Sequence, residues 1–166
     1  MPKKIVLNVN ACVGCGACTV ACMDQNDMLF DPFDGTVPHR RVFQVEEGSY
    51  PNAKIHYASI SCMHCETPAC VSGCPTAALK KDRETGAVVY DQNLCIGCHS
   101  CALACPFGIP RYDAENHITK CNQCAGRVKA GLLPACVRVC QTNALEFVEV
   151  NEFEEEKETR FLKSLF

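Results

Sequence analysis

The stretch Cys95–Pro106 reads CIGCHSCALACP. Four cysteines spaced C-x2-C-x2-C-x3-C-P constrain the fold more than any other feature, because one short loop and its exit must serve a thiolate-bound centre. Bacterial iron–sulfur runs have this spacing, and their fourth cysteine serves a different cluster from the first three. Two-residue gaps let the loop curl around a cubane, so that three thiolates meet three irons. Its inward N–H groups can then form a nest for the cluster sulfurs. Gly97 supplies the positive φ that so tight a curl needs. Pro106 cannot continue an existing helix and its fixed φ suits a turn, so Cys105 is expected to point away from its own loop.

Three further sets of four accompany it. Cys12, Cys15, Cys18 and Cys22 repeat the C-x2-C-x2-C-x3-C spacing, with Met23 where a proline is common. Cys62, Cys65, Cys70 and Cys74 have a wider second gap, ETPA, and are followed by Pro75. Cys121, Cys124, Cys136 and Cys140 are split by the insert Ala125 to Ala135. Sixteen cysteines in 166 residues leave three classes: a disulfide scaffold, a zinc protein or an iron–sulfur protein. The last set alone could hold zinc tetrahedrally, but it does not occur alone. After Cys140 the chain reads QTNALE, echoing PTAALK after Cys74, an internal repeat that places both segments equivalently around clusters. His64 and His99 sit inside cysteine gaps. A ligand role of the Rieske type is one reading; an imidazole outside the ligand set is the other, favoured because cysteines already fill the positions.

The formal net charge of −3 omits ligand thiolates, so a loaded protein would be more acidic. Nothing is basic enough for a nucleic-acid footprint. No run approaches the roughly 18 apolar residues of a membrane span. The N-terminus MPKKIVLNVNAC has too brief an apolar core for a secretory signal, so the cytoplasm is the expected compartment. Its reducing chemistry disfavours disulfides.

Between the loops, Lys4 to Val9 reads as a strand and Thr76 to Lys81 as a short helix. Ala87 to Tyr90 reads as a strand and Arg127 to Ala130 as a helical turn. RVFQVEE, Arg41 to Glu47, alternates like a strand, and Ile55 to Ile60 forms its hairpin partner across Gly48-Ser49-Tyr50-Pro51. His39, Arg40 and Arg41 read as a solvated basic spot, with docking as the second reading. In the tail, Glu152 to Glu158 reads as a solvated helical face. Phe161, Leu162, Leu165 and Phe166 share one apolar face, which either packs on the core or docks a partner or a second copy.

The pattern resembles the four-cluster iron–sulfur electron-transfer subunits of the dimethyl sulfoxide reductase family. It is also similar to small subunits serving formate dehydrogenases, hydrogenases, carbon monoxide dehydrogenases and tungsten aldehyde oxidoreductases. The first and third loops carry the resemblance, together with SCMHCETPACVSGCPTAAL, KCNQCAGRVKAGLLPACVRVC and the linker HRRVFQVEEGSYP. It covers about residues 4–148. It implies an α+β fold: two pseudo-symmetric, bacterial-ferredoxin-like two-cluster modules with a β-hairpin insertion and a C-terminal helical tail. Residues 1–150 would form the four-cluster domain. Module one would comprise 1–30 plus 106–150 and module two 55–105, with the hairpin insertion at 31–61 and the docking tail at 151–166.

Carried over residue by residue, the resemblance implies crosswise ligation of four [4Fe–4S] clusters. Cys12, Cys15, Cys18 and Cys140 would hold cluster a; Cys121, Cys124, Cys136 and Cys22 would hold cluster b. Cys62, Cys65, Cys70 and Cys105 would hold cluster c; Cys95, Cys98, Cys101 and Cys74 would hold cluster d. Met23 and Gln141 replace common prolines and alter only the local turn. The chain reads as short for the family and is expected to lack its longer insertions and a membrane-anchoring extension.

Sixteen cysteines for sixteen positions leave no iron open to substrate, and no nucleotide motif is present. No catalytic residue is expected. The chain reads as an electron-transfer subunit relaying single electrons between a large catalytic subunit, of the molybdenum or tungsten type, and a second redox partner such as a flavin or membrane subunit. A free-standing polyferredoxin is the alternative, against which the apolar tail weighs. A structural zinc protein is the third reading, disfavoured because zinc sets prefer paired C-x2-C motifs.

Overall fold

Short ribbons organise the chain: the strands among the described residues are two to seven residues long. The computed structural model describes residues 2–28 and 37–164. Strand β1 (Lys3–Leu7) leads into the first cysteine loop and helix α1 (Ala17–Gln25). Strands β2 (Arg41–Glu47) and β3 (Lys54–Ile60) precede the second loop and helix α2 (Ala69–Ser72). Strands β4 (Leu79–Lys81) and β5 (Val88–Tyr90) come next, then the third loop and helix α3 (Ser100–Ala104). Strands β6 (Arg111–Tyr112) and β7 (Ile118–Thr119) enter the fourth set, which carries α4 (Ala125–Lys129) and α5 (Ala135–Arg138). Strand β8 (Leu145–Glu149) runs directly into α6 (Val150–Lys163).

Each sheet among the described residues is one antiparallel pair: β1–β8, β2–β3, β4–β5 and β6–β7. β1 and β8 pair from Lys3↔Glu149 to Leu7↔Leu145, which brings segments from opposite ends of the chain together. β2 and β3 pair from Arg41↔Ile60 to Glu47↔Lys54, leaving Phe43, Val45 and Ile55 exposed. Near its base this ribbon lies against the first loop. A Cβ built on Gly14 (φ +70°) would stand 2.6 Å from Tyr57 Cε1, so glycine there admits the ring.

The same backbone bonds recur around the first and third loops. Asn8 N–H donates to the Ala144 carbonyl at 2.8 Å, and Asp91 N–H donates to the Ala78 carbonyl at 2.9 Å. Asn8 and Asp91 each lie four residues before a first cysteine; Ala144 and Ala78 each lie four after a last one. Helices α1 and α3 both start from a left-handed residue, Gly16 (φ 76°) and His99 (φ 61°). Thr19 and Ala102 each donate back to that residue's carbonyl at 2.9 Å.

The expected helix over Thr76–Lys81 is instead a turn followed by β4. Ala77 adopts φ +54°, which a right-handed helix forbids. Pairing Leu79 with Tyr90 then buries Leu79 almost completely. Among the described residues the apolar core is small. One cluster comprises Leu79, Val88, Cys101 and Ile118. The other comprises Cys18, Cys136 and Leu145. Cysteines are therefore part of the core itself.

Helix α6 starts against β1. Lys4 Nζ lies 4.4 Å above the Phe153 ring and 3.5 Å from a Glu154 carboxylate oxygen, so the acidic run is not wholly a solvated face. Leu162 is exposed; the Phe161 side chain, Leu165 and Phe166 lie outside the described residues.

Candidate metal centres

Tight loops and the residues just beyond them bring the sixteen cysteines together in four groups. Cys12, Cys15, Cys18 and Cys140 line one cleft with Val42, Ser59 and Leu145. Cys95, Cys98, Cys101 and Cys74 line another with Thr76, Leu79 and Tyr112. Burial pushes the Cys22 thiol up to about 12, with Cys121, Cys136 and Cys124 beside it adding to the rise and Arg40 opposing it. Burial also raises Cys70, opposed by Lys120 and reinforced by neighbouring Cys62, Cys105 and Cys65. Each group thus joins three cysteines of one set to the last cysteine of another. All sixteen thiols are free.

The residues fit a thiolate-bound cluster: each group gathers four cysteines, and a cubane spreads its thiolates over four irons. Burial holds Cys121, Cys136 and Cys62 above the ordinary thiol range. Such thiols ionise only against a strong local cation, as coordinated iron provides. His64 supplies a further sign. Its Nδ1 accepts the Val88 N–H at 2.9 Å, which places the ring proton on Nε2. That buried Nε2 has no hydrogen-bond partner among the described residues, leaving a donor suited to cluster sulfur. Burial first, then Lys120, Lys81 and Arg40, keep its pKa well below normal, so the ring is neutral.

Donors converge on the sulfurs. Ile118 N–H reaches Cys95 Sγ at 3.3 Å and Gln123 N–H reaches Cys121 Sγ at 3.3 Å. The Tyr112 hydroxyl lies 3.1 Å from Cys101 Sγ, and Ser59 Oγ lies 3.2 Å from Cys18 Sγ. The repeated segments after Cys74 and Cys140 act alike. Burial would raise both thiols. The N–H groups of Leu79, Thr76 and Ala78 with the Thr76 hydroxyl outweigh it at Cys74. Those of Leu145, Ala144 and Thr142 with the Thr142 hydroxyl do so at Cys140. Both thiols are therefore lowered, which favours the thiolate that metal requires.

His99 stacks on Tyr112 at 3.7 Å between centroids, and its Nε2 meets Asn116 Oδ1 at 2.7 Å. The pair fixes the hydroxyl that faces Cys101. Gly97 is the tightest point of the third loop. Its φ is +64°, and a Cβ would fall 2.7 Å from the Asn116 carbonyl oxygen. Gly97→Ala is expected to cost about 1–3 kcal/mol of strain and to lower both the iron content and the thermal midpoint. Paired iron assay and calorimetry check this.

Sequence reasoning missed the buried cations. Arg40, expected at a solvated spot, is only 3% exposed, and Lys120 only 2%. Ser59 and Ser61 hold Arg40: Nη1 donates to the Ser59 carbonyl and Oγ, and Nη2 to Ser61 Oγ at 2.6 Å. The only local signal was the position of Lys120 directly before Cys121.

Comparison with known proteins matches these observations. Two models described as 4Fe-4S dicluster domains match residues 53–150 and 11–78. A probable anaerobic dimethyl sulfoxide reductase chain of Escherichia coli K12 is 40% identical over 162 residues, covering 92% of this chain and 76% of that protein. A second anaerobic dimethyl sulfoxide reductase chain, from the same strain, is 39% identical, covering 88% and 73%. A thiosulfate reductase electron transfer subunit of Salmonella typhi is 41% identical, covering 86% and 73%. Four thiol-rich loops, two dicluster matches and relatives named as reductase and electron-transfer chains lead to one conclusion: the chain belongs to the iron–sulfur subunits of the dimethyl sulfoxide reductase family, and is an electron-transfer subunit that binds [4Fe–4S] clusters, not a catalytic one.

Proposed function

We propose that this chain holds four [4Fe–4S] clusters and relays single electrons through them between a large catalytic redox subunit and a second redox partner. The observation carrying this is the grouping of the cysteines into four sets of three plus one. Cys12, Cys15, Cys18 and Cys140 hold cluster a, and Cys121, Cys124, Cys136 and Cys22 hold b. Cys62, Cys65, Cys70 and Cys105 hold c, and Cys95, Cys98, Cys101 and Cys74 hold d. Each cluster, when bound, takes up and releases one electron.

Neighbouring cysteines support the order a–b–c–d. Cys18 and Cys136 share one buried cluster. Cys121 lies close enough to Cys62 to raise its pKa. Cys70, Cys74 and Cys95 pack around the core cluster that contains Cys101. The recurrent bonds at Asn8 and Asp91 support two pseudo-symmetric modules, 1–30 with 106–150 and 55–105, with 31–61 as the hairpin insertion between them. The catalytic partner is of the molybdenum or tungsten type, a reading supported by relatives named as dimethyl sulfoxide reductase and thiosulfate reductase chains. The second is a flavin or membrane redox subunit. The apolar end at 161–166 belongs to the contact with the catalytic subunit or with a second copy.

Iron and acid-labile sulfide analysis of anaerobically purified protein tests the cluster count. About sixteen of each per chain is expected for four cubanes. Half that value with full zinc occupancy would overturn it. Removing residues 159–166 should leave the iron in place and abolish either co-purification with a large subunit or self-association; a truncated chain that keeps both removes the tail from the contact.

A further inference from the structure

Two cations are buried beside groups b and c. Lys120 Nζ donates to the Val88 carbonyl, to the Cys121 carbonyl at 2.8 Å, and to Cys62 Sγ at 3.9 Å. Three acceptors match the three N–H bonds of an ammonium; a neutral amine could satisfy only two. Lys120 thereby touches a ligand residue of group b and a ligand sulfur of group c at once. Arg40 lies on the b side, bonded to Ser59 and Ser61 and facing Cys136, Cys121 and Cys22.

Neither cation has a carboxylate partner among the described residues. A buried charge without one needs another anion, and the thiolates of groups b and c are what surround it. Groups a and d are different. Around Cys18 and Cys101 the donors are the neutral hydroxyls of Ser59 and Tyr112.

We propose that Lys120 is a shared potential-setting residue: its fixed positive charge raises the reduction potentials of both middle clusters, b and c, while Arg40 acts chiefly on b. This rests on the ligation proposed above. Reduction adds a negative charge to a cluster, and a nearby buried cation favours that state because little solvent screens it. The charge of Lys120 also offsets repulsion when both neighbours hold an electron.

The test is a potentiometric titration of the intact holoprotein followed by electron paramagnetic resonance, with iron counted on each sample. Unaltered protein must first show four reducible clusters; fewer would overturn the ligation reading itself. In Lys120→Gln, which keeps donors but loses charge, two of four midpoints should fall and two stay. A tenfold change in each reduction equilibrium, about 59 mV for one electron, is the expected scale. Lys120→Arg should hold all four near their original values. Arg40→Gln should lower one midpoint most, and Arg40→Lys should hold it. A lysine that merely ties carbonyls together would leave all four unmoved in Lys120→Gln, which overturns the proposal. Loss of iron in Lys120→Gln shifts the decision to the Arg40 pair, where an unmoved midpoint or a lost cluster in Arg40→Gln overturns it as well.

Discussion

Chelating iron from the anaerobically purified protein is expected to abolish its cooperative unfolding transition. The described sheets are all two-stranded, and isolated two-stranded ribbons are at best marginally stable in water. The two apolar clusters are small and built partly of cysteine. Thiolate–metal bonds must therefore supply folding free energy that this core lacks, as in other small metal-dependent domains. Calorimetry and near-ultraviolet circular dichroism should show a sharp transition with iron and none after its removal. A chelated chain with an intact cooperative transition would contradict this. Any residual metal-free fold has a defined pH response. The Cys22 pKa rises from 9.0 to about 12 on folding, chiefly through burial. Between those values the unfolded chain releases a proton that the folded one keeps, so stability from this group is present below pH 9 and lost as pH rises toward 12.

Alanine at an exit cysteine is expected to remove a cluster from a distant loop, not from its own. Cys105 follows helix α3 of the third loop, yet its neighbours include Cys70 of the second. Cys22 belongs to the first loop's helix α1, yet stands beside Cys121, Cys136 and Cys124. Cys105→Ala should therefore cost about four of roughly sixteen irons, with the lost signal being that held by Cys62, Cys65 and Cys70. Cys22→Ala should spare Cys12, Cys15 and Cys18. Spectra that resolve individual clusters distinguish the outcomes, because ligation within each loop predicts the reverse loss.

The cluster chemistry was legible because its signal is local. Two-residue gaps between thiols, a glycine at the tightest curl and a proline after the last cysteine are all properties of adjacent residues. The hairpin strands were readable for the same reason, since side chains alternate with period two. The segment after Cys74 was misread as a helix because Ala-Ala-Leu-Lys has high helical propensity. Pairing of Leu79 with Tyr90 and a left-handed Ala77 outweighed that preference.

What the sequence determined by itself is the inventory: four sets of four thiols, the repeated segments after Cys74 and Cys140, and a chain that carries electrons without turning over substrate. Tertiary structure decided which thiols meet and what surrounds them. Arg40 and Lys120 lie 80 positions apart in the chain, and each looks like an ordinary surface cation from its neighbours. Only folding brings Arg40 beside Cys136 and Lys120 beside Cys62. Burial and charge proximity depend on packing across long sequence separations, which local residue patterns do not encode.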